Sequence, residues 1–196
     1  MAKGWTVEGI VPNQLTIESA RCIILAKFCE AISYKEELLT KGDPDSVHDM
    51  RVSLRRLWAA MRNFEDLFRD EPGFRKLAKQ TRRMARKLGK VRDTDVLIEL
   101  MEKQKAEGEN IEEFVLELLI ARCQNRRKKA YKKLLDSIQK LEKRNFETDF
   151  IGFFANSHIL VEQVTLYNNR KKKTENQNKE LENYSTDFRS IGSENF

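Results

Sequence analysis

The sequence predicts an all-α protein, an antiparallel bundle of helices. Three observations carry that reading. Apolar residues recur at spacings of three and four through long segments, the period of a helix with one buried face. The chain is 35% charged and 40% hydrophobic, and the charges run along the same segments. Only eight glycines and three prolines interrupt 196 residues. That length suits one domain with a real core and is too short for two comfortable ones.

The elements follow in order. Residues 1–14, "MAKGWTVEGIVPNQ", form an irregular N-terminal segment without the apolar stretch of a signal peptide. A first helix is expected over "LTIESARCIILAKFCEAISYKEELLTKG", with Thr16 as N-cap and Gly42 as the stop just past its end. Ser46 or Asp45 is expected to cap a second helix running to about Phe68. After the break "RDEPG", a third helix runs from Phe74 to about Leu88 and is closed by Gly89. Asp93 or Thr94 then caps a short fourth helix to about Lys105. A long fifth helix spans roughly Ile111 to Lys143. The aromatic stretch "FETDFIGFFANSHILVEQVTLY" reads as one more helix or a short pair, and residues 15–167 form the bundle. From residue 168 to 196 apolar periodicity is lost, which predicts a polar, disordered tail.

Cys22, Cys29 and Cys123 are too few and too scattered for a disulfide framework or a zinc site. Cys22 and Cys29 share an apolar helix face and read as core thiols. No apolar run approaches the ~18 residues of a membrane span. A soluble cytoplasmic protein is the expectation.

The formal net charge is +6, from 37 Lys+Arg against 31 Asp+Glu. More informative is where the cations fall. On a wheel at about 100° per residue, Val47, Met50, Leu54, Leu57, Met61, Phe64 and Phe68 make the core stripe of the second helix. His48, Arg51, Arg55 and Arg62 form a band beside it, while Arg56 points elsewhere. On the third helix Arg75, Lys79, Arg82 and Arg86 make a ridge, flanked by Arg83, Lys87 and Lys90. On the fifth, Arg122, Arg126, Lys129, Lys133 and Lys140 fall within about 60° of each other.

Ordinary solvated helix faces interleave such cations with acids. Here no acid lies four residues beyond Arg51 or Arg55, and none occurs between Phe74 and Lys90. Like charges a turn apart repel by a few tenths of a kcal/mol per pair, a cost that a bridging anion removes. Arginine offers a planar fork to phosphate and lysine a point charge. Ridges repeating every turn suit a linear polyanion better than one small phosphate. His48, in the first turn, either joins that site or serves as a capping or packing residue.

"GDPDSVHDMRVSLRRLWAAMRNF", followed by a basic helix and "LGKVRDTDVLIELM", resembles the CHAD domain, the conserved-histidine α-helical domain, over roughly residues 15 to 155. The resemblance implies a helical bundle built from two pseudo-symmetric four-helix halves around a basic pore that binds inorganic polyphosphate. It implies no catalytic activity. Carried over, the pore-lining cations are His48, Arg51, Arg55 and Arg62, then Lys79, Arg82, Arg83, Arg86 and Lys90. Arg92 and Asp93 match the second motif, with Asp93 read as a helix cap or a partner to a pore arginine. The expected second basic half is missing: His158 lacks the arginine pattern that follows His48. The chain therefore reads as one four-helix half with an extra C-terminal helix, and a homodimer is the way two copies would rebuild the two-fold arrangement.

The function expected is non-enzymatic binding of polyphosphate, with an association with polyphosphate granules as one consequence. Two other classes stay open. A nucleic-acid-binding protein would use the same ridges, although only Trp58 is placed to stack a base, and it reads as a core-edge residue. A basic interaction protein would dock on an acidic partner. No Gly-rich phosphate loop, metal-ligand set or activated nucleophile appears, so no catalytic residue, metal or cofactor is expected.

Overall fold

The structure, a computed structural model, describes residues 4–7, 10–107 and 113–155. Among these, six α-helices and one 3-10 turn account for the regular structure: α1 (Thr16–Ser33), α2 (Lys35–Thr40), α3 (Pro44–Asn63), the 3-10 turn Glu65–Phe68, α4 (Pro72–Glu107), α5 (Glu113–Glu142) and α6 (Phe146–Phe154). The long helices α1, α3, α4 and α5 make the antiparallel bundle and α6 is the added C-terminal helix, as the sequence leads one to expect. Residues 156–167, His158 among them, and the tail 168–196 lie outside the described residues.

α1 is the central helix. Ala20, Cys22, Ile24, Leu25 and Ala26 are fully buried, and Phe28, Cys29 and Ala31 nearly so. A helix apolar on most of its circumference is packed on several sides. Thr16 is its first residue rather than its cap: Leu15 holds the extended N-cap conformation and no side chain caps the turn. The predicted first helix also breaks once, at Tyr34, before α2. Gly42 ends α2 with φ of +59°, a left-handed conformation that glycine adopts without a Cβ penalty.

α3 begins earlier than expected. Asp43, not Asp45 or Ser46, is the N-cap, accepting a 2.8 Å hydrogen bond from the Ser46 amide, and Pro44 occupies the first helical position. The helix stops at Asn63, so Phe68 reaches the core from the 3-10 turn instead. Glu30 of α1 is fully buried and accepts from Arg56 of α3 at 2.6 Å, from Lys27 at 3.0 Å and from the Trp5 amide at 3.1 Å. A buried carboxylate is tolerable only with such donors. They strap the N-terminal segment and α3 to α1.

The largest departure is α4. The predicted stop at Gly89 and restart at Asp93 or Thr94 do not occur, and one helix of 36 residues runs through them. Gly89 sits at an open helix position, with nothing within 4 Å of where its Cβ would be. Thr94 donates to the Lys90 carbonyl four residues back, and Asp93 is exposed mid-helix with no partner among the described residues. Local cap signals lose because Leu88, Val91, Thr94 and Asp95 are all buried at helical spacing. That packing outweighs the ~1 kcal/mol a mid-helix glycine costs.

α6 closes the base of the bundle with aromatics. Phe150 stacks on Phe28 at 3.9 Å between ring centroids, and Phe154 meets Phe68 edge-on at 5.6 Å. Arg21 fixes the C-terminal end of α6, donating to the Phe153 carbonyl at 2.7 Å and to Glu71 at 3.0 Å.

Candidate anion-binding face

α4 packs against both α3 and α5, and α3 packs in turn against α1. The cations predicted from the wheel lie away from the buried sides of these helices. On α4 the buried stripe of Leu77, Thr81, Met84, Leu88 and Val91 leaves the opposite side to Lys79, Arg82 and Arg86, with Arg83 and Lys90 on its flank, all exposed. From Lys79 to Lys90 the ridge is about 16 Å long at 1.5 Å per residue.

Two contacts join this ridge to its neighbours. Arg82 lies over the ring of Trp58 at 5.8 Å, a cation–π contact from α4 to α3. By helical phase Trp58 adjoins the band of Arg51, Arg55 and Arg62, so the α3 and α4 ridges share one face. Arg55 and Arg62 are exposed, while Arg51 and His48 are half-buried. Because α3 starts at Pro44, His48 stands in the second turn rather than the first. It is beyond the amides that Asp43 caps and beyond the reach of the dipole at the helix start.

On the other side of α4, an open cleft of about 960 Å³ lies between α4 and α5. Lys90 and Lys87 line it from α4, and Arg122, Arg126, Lys129 and Lys133 from α5, with Lys140 at one end. Asp136 is the one acid in the lining. Lys87 is held there by the Ser137 hydroxyl and by the Lys133 carbonyl at 3.2 Å. The structure thus gathers Lys90 with the α5 cations in one cleft. No α3 residue lines the cleft.

The basic residues of this protein divide into two populations. Arg21, Lys27, Lys35, Arg56, Arg92 and Arg127 all hold carboxylates within 4 Å, and so do Lys41, Arg69, Lys76, Lys103 and Lys105. None of His48, Arg51, Arg55, Arg62, Lys79, Arg82, Arg83, Arg86, Lys90, Arg122, Arg126, Lys129 and Lys133 has an ion pair among the described residues. Most of the unpaired cations belong to the ridges and the cleft; Lys128, Lys132, Lys143 and Arg144 also lack an ion pair among the described residues. Like charges a turn apart on a helix repel by a few tenths of a kcal/mol per pair, and the repulsion accumulates along each ridge. Such a face binds anions by the relief of that repulsion.

One ion pair behind the face escapes a wheel drawn for ridges. Arg127 donates to Asp95, whose side chain is only 1% exposed, and to the Gly42 carbonyl at 2.8 Å. Both residues fall in the apolar stripes of their helices, Arg127 in phase with Leu116 and Leu134, Asp95 with Leu88 and Val91. A charge inside a core stripe demands a counter-charge, and that signal was available in the sequence.

A family model, the CHAD domain, matches residues 23–178. The chain belongs to the CHAD domain family. CHAD domains are linked in general to polyphosphate binding. No curated protein and no solved structure matches the chain significantly. Among the described residues no helix is long and apolar enough to cross a membrane, and no group of three or more His, Cys, Asp or Glu side chains could hold a metal ion.

Proposed function

We propose that this chain binds inorganic polyphosphate along the outer face of α3, α4 and α5, by charge complementarity and without making or breaking bonds. The observation that carries the reading is the clustering of unpaired cations. Eleven cations, among them Lys27, Arg56 and Arg127, hold carboxylates, while those of the ridges and the cleft have no ion pair among the described residues. A linear polyanion meets them in series: the α5 cations from Arg122 to Lys133 span about 16 Å, with Lys87 and Lys90 forming the opposite wall. Arg51, Arg55 and Arg62, with His48 at their end, extend the positive field along α3. Recruitment to polyphosphate granules in the cytoplasm and pairing of two chains around one polymer are consequences of this reading.

A nucleic-acid backbone offers the same charge, but the face has no platform for bases. Trp58, the one aromatic candidate, is half-buried and its ring is covered by Arg82. Replacing Arg122, Arg126 and Lys129 together by glutamine tests the proposal. These side chains are exposed and unpaired, so far-ultraviolet circular dichroism and the urea midpoint should stay unchanged. Polyphosphate affinity, measured by calorimetry, should fall at least tenfold. Unchanged affinity in the folded variant refutes the cleft as the site.

A further inference from the structure

The cationic face changes character partway along the α4–α5 hairpin. On α4 the stripe of Lys79, Arg82, Arg86 and Lys90 continues at the same helical phase, to within about 45°, into Leu97 and Leu100. On α5 the stripe of Arg122, Arg126, Lys129 and Lys133 continues backwards, to within about 50°, into Val115, Leu118 and Leu119. These five, with Phe114, are exposed, from 40% at Val115 to 73% at Phe114. The hairpin does not need them for its own pairing, which buries Leu116 instead. Leu118 also lines the cationic cleft, so the apolar tip and the basic groove adjoin.

We infer that a second copy of this chain covers the tip, and that a polyanion held between the two basic stripes drives the pairing. The six side chains expose on the order of 500 Å² of apolar surface, near the top of what a monomer shows as its largest patch. Two such faces bury about 1,000 Å², the threshold for a specific interface. Charges around the tip are partly paired within the hairpin: Lys105 with Glu113 and Glu117, Lys103 with Glu107 and Arg92 with Glu99. Acids outnumber cations there, but by helical phase Glu99, Glu102 and Glu117 fall on the far side from the exposed leucines, so a second hairpin meets a mainly apolar face. Two parallel hairpins joined by a two-fold axis at their tips form a four-helix arrangement. Their basic stripes then face each other below it. Without an anion those stripes repel, and with one they become two walls of a single channel.

The described residues end far from the tip. α6 ends with Phe154 against Phe74, and Leu97 lies about 35 Å further along α4.

The coupling to polyanion rests on the proposed function, whereas the pairing does not. Sedimentation velocity on the full chain separates them. In roughly 0.5 M salt, where repulsion between the stripes is screened, the wild type should dimerise without any anion. Leu100→Gln with Leu119→Gln, two exposed positions outside the cleft lining, should weaken that dimer at least tenfold and leave circular dichroism unchanged. At near-physiological salt, polyphosphate should shift the wild type to dimer and leave the double variant monomeric though still bound. A wild type monomeric under both conditions overturns the inference, as does a double variant that dimerises as well as wild type. Dimers in high salt with no polyphosphate binding at all would uphold the pairing and refute the proposed ligand and its coupling. A photoreactive phenylalanine analogue at position 114 gives a second readout. Cross-links to the tip of another copy are expected, and cross-links within one chain to residues 156–196 would overturn the pairing.

Discussion

Gly89→Ala should stabilise this protein, although a local reading of the sequence makes that glycine a helix terminator. α4 is one helix through Gly89, whose backbone has no positive φ. An added Cβ would meet nothing within 4 Å, so it brings neither a clash nor new buried surface. What remains is the backbone entropy that glycine loses on folding, worth about 0.8–1 kcal/mol relative to alanine in a helix interior. For a chain of this length that raises the melting temperature by roughly 2–4 °C. Gly42→Ala is the matched control of opposite sign. It forces a Cβ into the left-handed region at φ +59° and within 2.5 Å of the Tyr131 hydroxyl, which donates to the Leu38 carbonyl at 2.6 Å. The conformational penalty alone is about 1–2 kcal/mol, and displacing Tyr131 adds to it. Urea denaturation followed at 222 nm measures both. If Gly89→Ala destabilises by 1 kcal/mol or more, Gly89 closes a helix after all and the continuous α4 is refuted.

Removal of Asp95 should leave Arg127 charged and mostly buried. Asp95→Ala should therefore cost about 2–3 kcal/mol, toward the lower end for a broken buried pair because Arg127 is 20% exposed. Asp95→Asn, which keeps an acceptor, should cost less, and a chemical-denaturation series ranks the two. At the start of α3, the Ser46 amide hydrogen bond holds the Asp43 carboxyl below the usual carboxylate range. Its contribution is therefore present above the unfolded value near pH 4 and is lost as pH falls through the lower folded value. Asp43→Ala should cost about 1 kcal/mol at pH 7, and the gap to wild type should close below about pH 4, while Asp43→Asn keeps most of the cap throughout. Burial pushes the Cys29 thiol up to about 12 and raises Cys22 as well. Cys123, half-exposed on α5, should be the one thiol that reacts rapidly with a disulfide reagent at pH 8, and three should react after unfolding.

Much of the fold was legible because α3, α4 and α5 each keep one apolar stripe. Val47, Met50, Leu54, Leu57 and Met61 are buried where the wheel puts them, and the cationic bands lie beside the core as their phase requires. Helix ends were less legible. Asp43, Asp45 and Ser46 are all good capping residues, and only Pro44 at the first helical position hinted at Asp43. The Gly89–Thr94 region shows why local signals can mislead. Its glycine and capping types spell a break, while the i, i+3, i+4 burial of Leu88, Val91 and Asp95 spells continuity, and packing prevails. Arg56 shows a limit of charge counting. The wheel sets it apart from the α3 band, but its partner shows only when the fold brings Glu30 of α1 to it, 26 residues away in sequence. The cleft could not be seen from single wheels, because it requires α4 and α5 to pair in a register that sets Lys87 and Lys90 opposite Arg122 and Lys133.

The central claim is that the unpaired cations of α3, α4 and α5 recognise polyphosphate in particular, and a competition titration tests it most directly. Labelled polyphosphate bound to the full chain at near-physiological salt would be challenged with single-stranded DNA, double-stranded DNA and RNA at equal phosphate concentration. The account predicts that polyphosphate stays bound and that the preference is lost when Arg122, Arg126 and Lys129 become glutamine. Displacement by nucleic acid at equal or lower phosphate concentration, or no binding of polyphosphate at all, would contradict it.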